Sequence, residues 1–96
     1  DRVGTAKAFP LPGRGRHVFA VRCRKGVSCA VAAVSEGAKD IHLAVLDPNG
    51  RVVVWDVRDN PDPEVTFRTE AEGLFYVAVL NPTSDRALVV LSLFGK

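Results

Sequence analysis

Asp40-Ile41-His42-Leu43-Ala44-Val45-Leu46-Asp47-Pro48-Asn49-Gly50-Arg51-Val52-Val53-Val54-Trp55-Asp56-Val57 decides the fold. Two apolar, largely β-branched runs, Ile41 to Asp47 and Arg51 to Val57, flank Pro48-Asn49-Gly50. Proline fixes φ at the first loop position, asparagine suits the second, and glycine accepts the left-handed conformation that closes a three-residue hairpin loop. The segment therefore reads as an antiparallel hairpin. With Asp47 facing Arg51, the ladder predicts Val45 opposite Val53, Leu43 opposite Trp55 and Ile41 opposite Val57 on a core face. The other face pairs Leu46 with Val52, Ala44 with Val54, and His42 with Asp56. That face is more apolar than a solvated sheet face needs. Two readings stay open: a rolled sheet whose loops shield it, or a docking surface for a neighbouring domain or subunit.

The same grammar of short strands and turns extends in both directions. From Arg16 the polar residues Arg16, Arg22 and Arg24 alternate with apolar Phe19, Val21 and Cys23, the period of a half-buried strand, which Gly26 ends. Val27 to Val34 follows as a strand and stops at Ser35-Glu36-Gly37. Beyond the hairpin, Asn60-Pro61-Asp62-Pro63 is a loop, because proline removes backbone donors and forces its predecessors extended. Glu64 to Glu70, Leu74 to Leu80 and Arg86 to Phe94 are strands separated by Ala71-Glu72-Gly73 and Asn81-Pro82-Thr83-Ser84-Asp85. No segment offers three turns of amphipathic helix with caps. The expected fold is all-β: a jelly-roll-like antiparallel sandwich of about seven strands, with an eighth from Val3 to Phe9 if the start of the chain joins it. Residues 1–15 read as a linker or edge strand and residues 16–96 as one sandwich domain.

Length and composition agree with that. At 96 residues the chain has room for one domain, and 47% hydrophobic with 25% charged residues supports a packed core in a soluble chain. No apolar run approaches the ~20 residues of a membrane span. The net charge of +2 conceals a gradient: residues 1–25 hold seven Arg or Lys against one acid (+6), and residues 26–96 hold six against ten (−4). Arg14, Arg16, Arg22, Arg24 and Lys25 form a candidate basic patch for an anionic partner, or simply a solvated strand face. Nucleic acid is disfavoured, because Phe19 falls on the opposite strand face from these arginines and leaves no stacking platform among them.

Candidates for chemistry are few. His42 with Asp56 is the one histidine–carboxylate pairing the register offers, and no serine or cysteine can be set beside it, so the chain reads as a non-enzyme without a cofactor. Asp56, Asp59, Asp62 and Glu64 are the candidate calcium ligands, because calcium takes several oxygens from a flexible acidic loop; the spacing is not that of an EF-hand. The alternative is a solvated, charge-rich turn. Trp55 is expected in the core rather than on a sugar-stacking surface. Cys23 and Cys29 are too few for zinc. If the first two strands form a hairpin with the odd register, Cys23 faces Cys29, Val21 faces Val31 and Phe19 faces Ala33. That arrangement predicts a disulfide in an extracytoplasmic protein, the alternative being two reduced core thiols.

Several of these segments carry a family likeness. His17-Val18-Phe19-Ala20-Val21 followed by Lys25-Gly26-Val27, then Asp40 to Gly50, then Val65-Thr66-Phe67 with Glu72-Gly73-Leu74-Phe75-Tyr76-Val77-Ala78-Val79, resemble the bacterial pre-peptidase C-terminal domain from Arg16 onward. The last of these stretches is also similar to the Golgi-dynamics sandwich, whose aromatic strand often holds a cysteine; Tyr76-Val77-Ala78-Val79 has none. The first resemblance implies a secreted, non-catalytic accessory sandwich that assists secretion, localisation or substrate engagement of a partner catalytic domain. Its expected partner is a neighbouring domain of the parent protein or another protein. Calcium-binding relatives use an acidic linker ahead of the sandwich, and residues 1–15 offer only Asp1. A stand-alone module for calcium or an anionic polymer is the second expectation.

Overall fold

A computed structural model of the protein describes residues 3–95. Eight strands follow in order: β1 (Val3–Leu11), β2 (Arg16–Cys23), β3 (Ser28–Glu36), β4 (His42–Leu46), β5 (Val52–Asp56), β6 (Glu64–Arg68), β7 (Gly73–Leu80) and β8 (Ala87–Gly95). They build two four-stranded sheets, β1-β8-β3-β6 and β2-β7-β4-β5, with every neighbouring pair antiparallel. This is a jelly-roll sandwich without helices among the described residues. Only the β4–β5 connection stays within one sheet; every other connection crosses to the opposite one.

The period of two sets the core. Phe9 and Leu11 from β1, Val31 and Ala33 from β3, Leu43 and Val45 from β4, Phe75, Val77 and Val79 from β7, and Val89 and Leu91 from β8 all point between the sheets. Each fully buried Leu, Ile, Val or Phe contributes roughly 1.5–3 kcal/mol relative to exposure. Buried polar residues fasten the two ends. Asn81 donates from Nδ2 to the Asp85 carbonyl at 2.7 Å and accepts from the Thr83 amide at 3.0 Å, while its own N–H reaches the Gly15 carbonyl at 2.9 Å. Thr69 exchanges backbone hydrogen bonds with Gly26 and Val27 and takes the Val27 amide on Oγ1 at 2.9 Å, pinning the β2–β3 loop.

The decisive hairpin forms with the expected loop. Gly50 adopts φ +82°, its N–H donates to the Asp47 carbonyl at 2.9 Å, and the Asp47 N–H donates to the Arg51 carbonyl at 2.8 Å. Asp47 Oδ1 accepts from the Asn49 and Arg51 amides, both at 2.9 Å. Leu46 pairs with Val52, as the sequence predicts. A β-bulge then intervenes, and the ladder continues as Val45 with Val54, Ala44 with Trp55 and Leu43 with Asp56. The extra residue turns over every side chain beyond it. Trp55 therefore points out of the sandwich and is 61% exposed, and Asp56 points in, correcting the expected core tryptophan and the expected His42–Asp56 pair.

The β2–β3 hairpin is the second correction. β2 pairs with β7 and β3 with β6 and β8, so Cys23 lies opposite Gly73, Val21 opposite Phe75 and Phe19 opposite Val77. A loop that crosses between sheets satisfies the same local turn signal as one that returns along its own ladder.

Candidate functional site

The outer face of the second sheet is the feature that solvation does not explain. Across its middle runs one row, Val18 opposite Ala78, Ala78 opposite Ala44, and Ala44 opposite Trp55. The next row sets Ala20 against Tyr76 and Tyr76 against Leu46, with Val52 beyond. Trp55 and Val18, at 61% and 52% exposed, stand at the two ends of the first row with only alanines between them, leaving a shallow apolar floor. Val53, the bulge residue, is exposed as well. Arg16 and Arg22 flank the face on β2, opposite Leu80 and Leu74. His42, opposite Leu80, hydrogen-bonds through Nε2 to Asp40 Oδ2 at 3.1 Å and is thereby tied to its own strand end. The outer face of the first sheet is also apolar, through Val34, Leu88 and Val90, but among the described residues it carries no exposed aromatic side chain, and its charges include Glu36 and Glu64.

The sequence-derived acidic candidates separate. Asp56 is a sealed structural carboxylate: Arg58 Nε and Nη2 donate to it at 3.0 and 2.9 Å, and the amides of Arg58 and Glu64 donate at 3.1 Å each. The Arg58 guanidinium, helped by the two amides, holds its carboxyl far below the usual range against the opposing effect of burial. Both of its oxygens are thereby engaged by protein donors rather than turned toward Asp59, Asp62 and Glu64 as a shared ligand set. Among the described residues no three His, Cys, Asp or Glu side chains gather as a metal group. The expected absence of helical membrane spans concerns helices alone, and none of the described residues form one long and apolar enough to cross a bilayer.

The basic residues follow one edge strand and its two flanking turns. Arg14 sits in the β1–β2 turn, where Nη1 donates to the Pro82 carbonyl at 2.5 Å; Arg16 and Arg22 lie on β2, and Arg24 and Lys25 lie in the loop after it. They line the length of a free edge strand, where charge also discourages edge-to-edge pairing. The cysteines carry free thiols on opposite sheets, and Cys23 Sγ donates to the Val21 carbonyl of its own strand at 3.8 Å. Burial, reinforced by the nearby Cys29, pushes the Cys23 thiol up to about 11; burial also raises Cys29, with Cys23 pulling the other way. Trp55 is the site residue that the sequence misplaces. The unbroken Val52-Val53-Val54, where strict alternation should place a polar residue, is the signal of the bulge that exposes it.

No family model matches the chain, and no curated protein matches it. Among solved structures it is similar in fold to PliG of Aeromonas hydrophila, a periplasmic inhibitor of g-type lysozyme, with TM-score 0.70 and 11% identity over 99% of this chain and 86% of that one. The Yersinia pseudotuberculosis-derived mitogen matches with TM-score 0.68 and 15% identity, covering 95% and 84% of the two chains. A Bacillus endospore appendage protein, from a family of disulfide-linked pili, matches with TM-score 0.54 and 7% identity over 97% and 86%. At these identities what is shared is the sandwich fold.

Proposed function

We propose that this chain is a non-catalytic, extracytoplasmic interaction module that docks through the outer face of β2-β7-β4-β5 onto a neighbouring domain of its parent protein. The observation that carries this is Trp55: an indole 61% exposed on a sheet face whose central positions are alanine, valine, leucine and tyrosine. A large aromatic at one edge of a floor of small apolar residues, with arginines along the opposite edge, has the make-up of an apolar interface with a charged border. The basic flank of Arg16 and Arg22 fits an apolar partner surface bordered by acids. Support for a binding role comes also from the lysozyme inhibitor and the mitogen that share the fold, and for an extracytoplasmic setting from the periplasmic inhibitor and the pilus protein. The resemblance to the pre-peptidase C-terminal domain favours the same kind of accessory role.

The test compares Trp55 in the isolated chain and in the full parent polypeptide. As the chain's one tryptophan, it reports directly on the face in the isolated domain. There its emission should be red-shifted and readily quenched by acrylamide. In the parent protein, with other tryptophans replaced, it should be blue-shifted and protected, and Val18→Glu should restore quenching. Equal quenching in both contexts would overturn the docking proposal. Robust turnover by the isolated domain in a hydrolase or transferase screen would overturn the non-catalytic one.

A further inference from the structure

We propose a second site, adjoining the docking face at Arg22 but opening between the sheets, for an alkyl chain that ends in a carboxylate. β1 and β2 are the outermost strands on the same lateral side of the sandwich, and between their edges opens a cavity of about 270 Å³. Its apolar lining includes Phe19 and Val21 from β2, Val77 from β7 and Leu91 from β8. Lys7 and Arg22 complete the lining as its two cations. Lys7 is paired with Leu91 on β1 and so stands on the inward face of its strand, where an apolar residue would ordinarily sit. Its Nζ lies 5.1 Å from the centroid of the Phe19 ring, and among the described residues neither cation forms an ion pair with a carboxylate.

The recognition chemistry follows from that lining. Branched aliphatic side chains and one aromatic face offer an apolar slot to a short hydrocarbon tail, and two uncompensated cations at its lip offer a counter-charge to a single anionic head. A fully polar anion would leave the floor without contact, and a neutral alkane would leave the cations unanswered. The volume suits a medium-length chain rather than a bulky ring system. An inward lysine on an edge strand also discourages strand addition, but that role makes no demand on the apolar slot beneath it.

Octanoate is the probe, with 1-octanol as its neutral counterpart. Titrating octanoate into the labelled domain should give saturable amide shifts grouped at Lys7, Phe19, Val21, Val77 and Leu91. Lys7→Gln should weaken octanoate binding about fivefold, the loss of one partly exposed ion pair, while leaving octanol binding unchanged. Because Lys7 is exposed, this variant should fold normally; Arg22→Gln provides the matching loss from the other side of the lip. Four outcomes would overturn the proposal: no saturable shift at millimolar octanoate, octanol binding as tightly as octanoate, affinity unaltered by either variant, or shifts centred on Trp55. The last would place the ligand on the docking face and count against this site without touching the docking experiment.

Discussion

The two lateral sides of the sandwich treat charge in opposite ways. On the β5/β6 side, Asp56 is drawn inside and every hydrogen bond it accepts is supplied locally, by Arg58 and by the first residue of β6, Glu64. One carboxylate thereby clamps the crossover from one sheet to the other. Among the described residues the β1/β2 side has no such clamp. Phe9, His17 and Phe19 cluster there, with ring centroids 4.4 to 5.1 Å apart, and Lys7 rests over Phe19 without a carboxylate partner among the described residues. A charge whose partners are built in holds a fold together; a charge left at the mouth of an apolar slot remains available to a ligand. Sequence composition does not distinguish these cases, since both are ionisable residues on strands.

The closed side should show the largest effect. Asp56→Ala removes the acceptor of two backbone amides and of the Arg58 side chain, and should lower unfolding free energy by about 3 kcal/mol in urea titrations. A loss below about 1 kcal/mol would erase the contrast between the sides. Its pH signature has a definite sign. Because the folded state holds the Asp56 pKa below its ordinary value of 3.8, the stabilisation is fully present above that value and is lost as pH falls toward the depressed folded value. Asp56→Asn should therefore flatten the stability profile on the acid side of 3.8 and leave its slope near neutrality unchanged.

Next in size is a bond between Cys23 and Cys29, which would clip the two sheets together. Oxidised protein should gain roughly 2 kcal/mol over the dithiol form by the loop-closure relation, and intact mass before and after reduction and alkylation checks its presence in protein from its native compartment. With Cys23 pushed up to about 11, oxidation by a disulfide such as oxidised glutathione should be slow at neutral pH and accelerate as pH rises. Two freely alkylated thiols in native material would remove the bridge. On the open side, Phe19→Ala should cost about 1.5 kcal/mol, less than Asp56→Ala, because its ring is only partly buried. Trp55→Ala and Lys7→Gln should each fall within about 0.5 kcal/mol of the parent in the same assay. A larger loss at Trp55 would assign the indole a structural role and weaken the docking proposal.

Much of the architecture is legible in the sequence. The strand-turn rhythm, the antiparallel sandwich and the Pro48-Asn49-Gly50 loop are read from residues a few positions apart, where turn chemistry and side-chain alternation act. The candidate site was half legible. The greasy second face of the hairpin is visible in Ala44 and Leu46, but an unbroken ladder past Val52 puts Trp55 in the core, and the bulge turns it out. The acidic loop was legible only as charge. Whether Asp56 binds a metal or an arginine depends on which way its strand is turned, and that was inverted by the same bulge.

The sequence by itself determined where the chain extends, where it turns, and that it closes as two antiparallel layers, because backbone propensities and alternating burial are local properties. Only the tertiary structure decided that β2 pairs with β7 rather than β3, that Cys23 and Cys29 belong to opposite sheets instead of one hairpin, and that Lys7 stands over Phe19 at its open side. Those outcomes join residues up to dozens of positions apart, and no turn signal specifies which sheet the next strand enters. The bulge lies between the two regimes: a single extra residue, local in extent, whose position is set by fitting β5 simultaneously to β4 and to the core, and whose consequence is to put an indole in water and a carboxylate inside.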